Sequence, residues 1–162
     1  GGDDPQGGLG VGDAVEQAGV VQADAAEREA LGAVGVQVGT RFLVANECTI
    51  HQNYKNMILA AKDIDTATAG KRLGHPVRAM RNSFMREFIR REYDSNVSNE
   101  ELEAYGAGAL RLAAREGDVK NGSVMAGQSS GLVKKEQPAA EIIREMMAEA
   151  EALLKGGASF CG

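Results

Sequence analysis

The segment Val34-Gly-Val-Gln-Val-Gly-Thr40, followed by Arg41-Phe42, constrains the fold of this chain more than any other. β-Branched residues with small spacers are the pattern of a short strand buried on both faces, as in a parallel sheet covered by helices. The run ends in Gly39-Thr40. A glycine lets backbone approach a ligand closely, and a threonine hydroxyl beside exposed N–H groups helps to hold a phosphate. Sites of α/β proteins sit at that carboxyl end of a strand. An ordinary turn carries the same residues, so the reading depends on the surroundings.

A chain of 162 residues makes one domain of ordinary size and falls short of the roughly 250 residues of a complete (β/α)8 barrel. With 43% hydrophobic residues, 4% aromatic residues and no Trp, its core is expected to be aliphatic and rich in Met. The 21 glycines suit a loop-rich α/β protein whose backbone approaches a cofactor. A formal charge of −5 argues against a nucleic-acid partner. Cys48 and Cys161 are too few and too far apart for a metal motif or a disulfide framework, and a reduced, cytoplasmic setting is expected. The acidic, glycine-rich start is unlike a signal peptide. No apolar run approaches the ~18 residues of a membrane helix.

Residues 1–30 read as a divergent Gly-rich acidic segment, with Asp3, Asp4, Asp13, Glu16, Asp24, Glu27 and Glu29 against Arg28 alone. After the Gly-Thr loop, a helix is expected over 51–62, with Tyr54, Ile58 and Ala61 on its inner side and Lys55 and Lys62 nearer water. Residues 63–83 read as irregular, with a short strand at Val77–Met80, and Phe84–Glu92 as a helix. Asn99 caps a further helix expected to run through Arg115, with acids in its first turn and Gly117 at its end. Val124–Ala126 reads as a short strand feeding a loop from Gly127 to Gly131. The last helix starts at Pro138, buries a stripe of Ile142, Ile143, Met146, Met147, Ala150, Leu153 and Leu154, and stops at Gly156-Gly157. The Met-rich stripe is a core feature, because Met fills irregular gaps.

The second candidate site is Ser123-Val-Met-Ala-Gly-Gln-Ser-Ser-Gly131. A short apolar strand entering a Gly/Ser/Gln loop offers backbone donors, hydroxyls and an amide with little bulk. Those groups suit a flavin ring edge or ribityl chain; a plain connecting loop has the same composition. His51 and His75 are the only histidines and the natural general acids near neutral pH. His51 opens a helix and His75 precedes a proline, positions that suit structural or surface roles. Lys71, Arg72, Arg78, Arg81, Arg86, Arg90 and Arg91 form a basic cluster that is either a solvated face or an anion site. Gly10-Val-Gly12 is not a dinucleotide fingerprint, since no strand precedes it.

From Leu31 to about Glu145 the chain resembles the C-terminal portion of the FMN-dependent enoyl-acyl-carrier-protein reductases of type II and their relatives, the nitronate monooxygenases. The matching blocks are Ala33-Val-Gly-Val-Gln-Val-Gly-Thr-Arg-Phe42, Glu47…His51…Tyr54-Lys55 and Gly74-His-Pro-Val-Arg-Ala79. They continue with Gly106-Ala-Gly-Ala-Leu110, Gly117-Asp118 and Gly122-Ser-Val-Met-Ala-Gly-Gln-Ser-Ser-Gly-Leu132.

The resemblance implies an α/β fold: the last strands of a (β/α)8 TIM-type barrel, a smaller α/β insert domain and a closing C-terminal helix. Its divisions would be 31–46 for a barrel strand and phosphate loop, 47–120 for the insert, 121–155 for the final strand, flavin-side loop and helix, and 156–162 for a tail. It places Gly39 and Thr40 at the FMN phosphate and Met125, Ala126, Gly127 and Gln128 near the isoalloxazine. It implies hydride transfer from NAD(P)H through FMN to the double bond of an enoyl thioester on acyl carrier protein. In the nitronate branch the substrate reduces the flavin and oxygen reoxidises it. The block at Gly74–Arg78 resembles the reductase branch more. The basic cluster would then meet nicotinamide-cofactor phosphates or acyl carrier protein. The family's proposed catalytic histidine lies in a Gly-Gly-His loop upstream of these blocks; neither His51 nor His75 matches it, so no catalytic residue is carried over and no metal ligand is assigned. The competing reading is a non-catalytic fragment or subunit, because a half-barrel leaves strand edges unpaired and would need its missing N-terminal half or a homodimer partner.

Overall fold

The alternation Thr66-Ala-Thr-Ala69 pairs antiparallel with Val77-Arg-Ala-Met80, Thr66 opposite Met80 and Ala69 opposite Val77. These strands, β1 (Thr66–Ala69) and β2 (Val77–Met80), form the one sheet among the described residues. The computed structural model describes residues 36–157. The expected strand at Val77–Met80 is present, and its partner β1 lies in the stretch read as irregular. The turn between them closes at Gly70 and Gly74, with φ of 85° and 76°, the left-handed region that glycine enters without steric cost.

Around the hairpin stand α1 (Thr40–Leu43), α2 (Gln52–Leu59), α3 (Ser83–Glu92), α4 (Asn99–Gly106), α5 (Ala109–Glu116), a 3₁₀ turn at Gln128–Leu132 and α6 (Ala139–Gly157). The expected strand ahead of Thr40 has no ladder over residues 36–39, and its first residues lie outside the described range, as does the segment 1–30. The helix expected over 51–62 is shorter, because His51 is its N-cap and Ala60 its C-cap. The helix expected from Asn99 through Arg115 is two: Ala107 is extended and Gly108 left-handed at φ 75°, which breaks the ladder before α5 restarts. Its cap is Ser98 rather than Asn99, in a reciprocal pair with Glu101. Gly117 closes α5 as expected. The last helix runs on through Gly157, so Gly156 does not stop it.

Val124–Ala126 lies along β2 and extends the hairpin by a bridge, not by a full strand. Met80 donates its N–H to Val124 O (2.8 Å), Ala126 donates to Arg78 O (3.3 Å), and Ala79 stands opposite Met125. A second bridge joins Ala45 to Gln137 in parallel.

Two apolar clusters flank this layer, since residues alternate between its faces. One packs Val44, Tyr54, Ile58, Met80, Val124 and Ala126. The other packs Ala69, Ala79, Phe84, Met85, Phe88 and Leu102, with Tyr105 stacked on Phe84 at 5.3 Å. The expected Met-rich stripe of α6 is only partly core. Ile142 and Ala150 are buried, while Ile143, Met147, Leu153 and Leu154 are exposed.

Asn82 fixes where the second cluster meets the candidate loop. Its Oδ1 caps α3 by accepting from Met85 N, and its Nδ2 donates to the carbonyls of Val119 and Gly122, both at 2.7 Å. One buried amide thus ties the start of α3 to the entry of the Ser123–Gly131 segment.

Candidate functional site

Thr40 is buried at the first position of α1, and its Oγ1 accepts the N–H of Gly127 at 2.8 Å. This bond brings together the Gly39-Thr40 and Met125–Gln128 segments, 87 residues apart in sequence at the bonded pair. Thr40 therefore stands in a helical first turn and points its side chain into the junction, not at the end of a regular strand.

The loop is held from several sides. Tyr54 donates its hydroxyl to Met125 O at 2.8 Å. Burial pushes the Tyr54 phenol up to about 12. Ala126 is buried in the first cluster, Gly127 is half-buried, and the Gln128 side chain is exposed. The backbone groups of Met125, Ala126 and Gly127 named above are therefore engaged within the fold, and Gln128 is the member that presents a side chain to solvent.

Gly39 differs from the other glycines of the motif. A Cβ built there meets nothing within 4 Å. At Gly122 it would lie 2.6 Å from Ala113 N and 2.8 Å from Ala109 O, and at Gly131 2.4 Å from Asp63 Oδ1. Gly122 and Gly131 are required by packing, whereas Gly39 leaves open space next to the first N–H groups of α1. Those of Thr40 and Arg41 have no intrahelical partner. The Arg41 guanidinium turns away to Gln137 Oε1 and Lys135 O.

Lys55 departs from its helical pattern. Expected near water, it is 3% exposed, with Nζ on Ala45 O at 2.7 Å and on Glu136 Oε1 at 2.8 Å. Its partner is 81 residues away, so the local helical pattern carries no trace of the pair. His51 caps its helix, its Nδ1 accepting from Asn53 N, while His75 is exposed and its backbone N–H donates to Gly70 O in the hairpin turn. Several members of the basic cluster have partners within the fold although Lys71, Arg81, Arg86 and Arg90 are exposed. Arg72 donates to the carbonyls of Glu92, Asp94, Val97 and Ser98, and Arg81 to Thr66 O. Arg90 and Arg91 both engage Glu87, and those two guanidinium groups hold its carboxyl down at about 2. Among the described residues no group of three or more His, Cys, Asp or Glu side chains could hold a metal ion, and no helix is long and apolar enough to cross a membrane.

The family model for nitronate monooxygenase matches residues 20–149, most of the chain. The chain belongs to the nitronate monooxygenase family. Among members of the nitronate monooxygenase family, a probable nitronate monooxygenase from Staphylococcus saprophyticus is 35% identical over 105 residues, 64% of this chain and 29% of that protein. A nitronate monooxygenase from Neurospora crassa is 30% identical, across 77% of this chain and 34% of that protein. Among solved structures, FabK from Thermotoga maritima superposes with a TM-score of 0.78 at 36% identity, over 83% of this chain and 42% of FabK. Nitroalkane oxidase from Streptomyces ansochromogenes shares the fold at a TM-score of 0.68 and 23% identity. The chain thus spans less than half the length of these relatives. The α/β architecture expected from the sequence is the one these neighbours share; the described residues hold a two-stranded sheet rather than a closed barrel.

Proposed function

We propose that this chain supplies part of the flavin site of an FMN-dependent oxidoreductase built on a (β/α)8 barrel. The observation that carries the reading is the 2.8 Å bond between Thr40 Oγ1 and Gly127 N, which sets the two candidate loops side by side. The residues present fit the group. Open space at Gly39 suits the close approach of a phosphate, and the exposed Gln128 amide suits a flavin edge. When bound, FMN supplies reversible hydride acceptance. The chain's own part is to hold it: Gly39 admits it, Thr40 locks the loop, and Tyr54 fixes the Met125 backbone.

We further propose that the reaction is reduction of an enoyl thioester carried by acyl carrier protein, with NAD(P)H as reductant. Likeness to FabK, 36% identical over 83% of this chain, supports that branch. The second reading is oxidation of a nitronate, favoured by the 35% identity to the Staphylococcus saprophyticus relative.

The test is titration of FMN with the purified chain, read by quenching of flavin fluorescence. Saturable quenching that weakens in Thr40→Val is expected; no quenching at any protein concentration overturns the flavin reading. Anaerobic bleaching of the flavin then separates the branches. Bleaching by NAD(P)H supports the reductase, and bleaching by a nitronate without NAD(P)H supports the alternative.

A further inference from the structure

Helix α6 runs for 19 residues, and only its first part rests on the body of the chain, where it packs against α1. Ile142 and Ala150 are buried and Met146 is half-buried, whereas residues 151–155 are all exposed. The second part carries Leu153 and Leu154, 49% and 46% exposed, and the first part leaves Ile143 and Met147 open at 52% and 64%. Large apolar side chains in water mark a contact surface when they are contiguous. On this helix they are. Ile143, Met147, Ala150 and Leu154 recur at intervals of four, three and four residues, the 3.5-residue period of a seam between two helices. Ala150 is buried and closes the seam on the body side.

We propose that this seam pairs with α6 of a second copy of the chain, antiparallel, to form a symmetric dimer. The overhang of the helix selects that occupant. In an antiparallel pair the exposed second half of each helix lies along the body-anchored first half of the other. Ile143 then stands opposite Leu154 of the second copy and Met147 opposite Ala150, and symmetry makes each contact twice. Leu153 meets Met146 along one border of the seam. Charge selects the same arrangement. Arg144 and Glu151 form the other border, and this register sets each Arg144 against Glu151 of the second copy. Arg144 has no carboxylate partner among the described residues, its Nε donating to Ala140 O of its own helix. Glu151 is held towards this border by Lys155 one turn on. A parallel pair lacks the match, because Arg144 would face Ala139 and Glu151 would face Met146. The seam shares no residue with the Thr40–Gly127 junction.

Sedimentation velocity of the full chain, from micromolar to submillimolar concentration, is expected to show a reversible equilibrium between monomer and dimer. Met147→Glu puts a carboxylate into the seam twice per dimer and is expected to leave a monomer at every concentration. Arg144→Glu and Glu151→Arg, made singly, set like charges opposite each other. Each is expected to weaken the dimer about fivefold to tenfold, as two exposed attractive pairs become repulsive. The double variant exchanges the charges and is expected to restore the parent affinity. All three positions are exposed, and circular dichroism checks that each variant folds.

A chain that stays monomeric throughout overturns the inference. If Met147→Glu also lowers the unfolding midpoint of that monomer, another part of the same chain covers the seam. A dimer indifferent to Met147→Glu uses a different surface, and a dimer that the charge exchange fails to rescue is not antiparallel; either result overturns the pairing. Masses beyond two chains do so as well, because a symmetric pair closes on itself.

Discussion

Thr40 Oγ1 accepts the backbone N–H of Gly127 at 2.8 Å, and through this bond the first turn of α1 holds the loop that leaves the hairpin layer. Thr40 is buried, so a lost acceptor is not replaced by water without rearrangement. Thr40→Val keeps the shape and removes the oxygen. It is expected to cost about 1–3 kcal/mol, the penalty of an unsatisfied buried donor. Thr40→Ser keeps the oxygen and is expected to lose less. Urea unfolding of the two variants checks the order; equal stability of Thr40→Val and the parent chain would show that Gly127 N finds another partner.

The glycines of the motif separate packing from ligand approach. Gly39→Ala meets nothing within 4 Å and has an N-cap φ of −105° that alanine adopts, so stability is expected to change little. FMN affinity is expected to fall, because the added methyl occupies the open space. Gly122→Ala is the opposite case. Its methyl would strike the backbone of Ala113 and Ala109, and overpacking of this kind costs about 1–3 kcal/mol. Thermal unfolding and flavin quenching on both variants give the pattern; a Gly39→Ala chain that unfolds like Gly122→Ala would contradict it.

The sequence carries the α/β pattern of these elements because helix signals are local. Gly117 at the end of α5 and the apolar spacing of Phe84, Met85 and Phe88 could be read directly. So could the strand at Val77–Met80. The break at Ala107-Gly108 could not, because Gly106 and Gly108 read as tolerated helical glycines until Gly108 is seen in the left-handed region. Lys55 was illegible for another reason. A lysine on a helix is drawn to water unless a distant carboxylate and carbonyl meet it, and Glu136 and Ala45 do so only through tertiary folding. The juxtaposition of Thr40 and Gly127 followed from family likeness; nothing within either segment points to the other.

Lys55 is expected to matter through Ala45 more than through Glu136. Its ammonium donates to Ala45 O at 2.7 Å, a buried bond. Glu136 is partly exposed, with 31% of its side chain accessible. Lys55→Met is expected to destabilise the chain by about 1.5–3 kcal/mol, the range for a hydrogen bond to a charged group. Glu136→Gln is expected to do much less, since the remaining amide oxygen still accepts from the lysine and the bond to Ala45 O is kept. Guanidinium unfolding midpoints check the ranking, and a larger loss in Glu136→Gln would reverse the assignment.

Tyr54 makes the stability of the chain depend on alkaline pH. Its ordinary value is 10.0 and burial raises it to about 12 in the folded chain, so the fold favours the protonated phenol that donates to Met125 O. The sign follows from linkage: above the unfolded value the unfolded chain releases this proton and the folded chain retains it. The stability tied to protonated Tyr54 is therefore fully present below about pH 10 and is lost as pH rises through about 12. Tyr54→Phe removes that dependence, and at neutral pH it is expected to cost about 1–3 kcal/mol because Met125 O loses its donor. Unfolding free energies measured at several pH values for both chains test this. A Tyr54→Phe chain whose stability falls with the same slope between about pH 10 and 12 would assign the alkaline transition to another group.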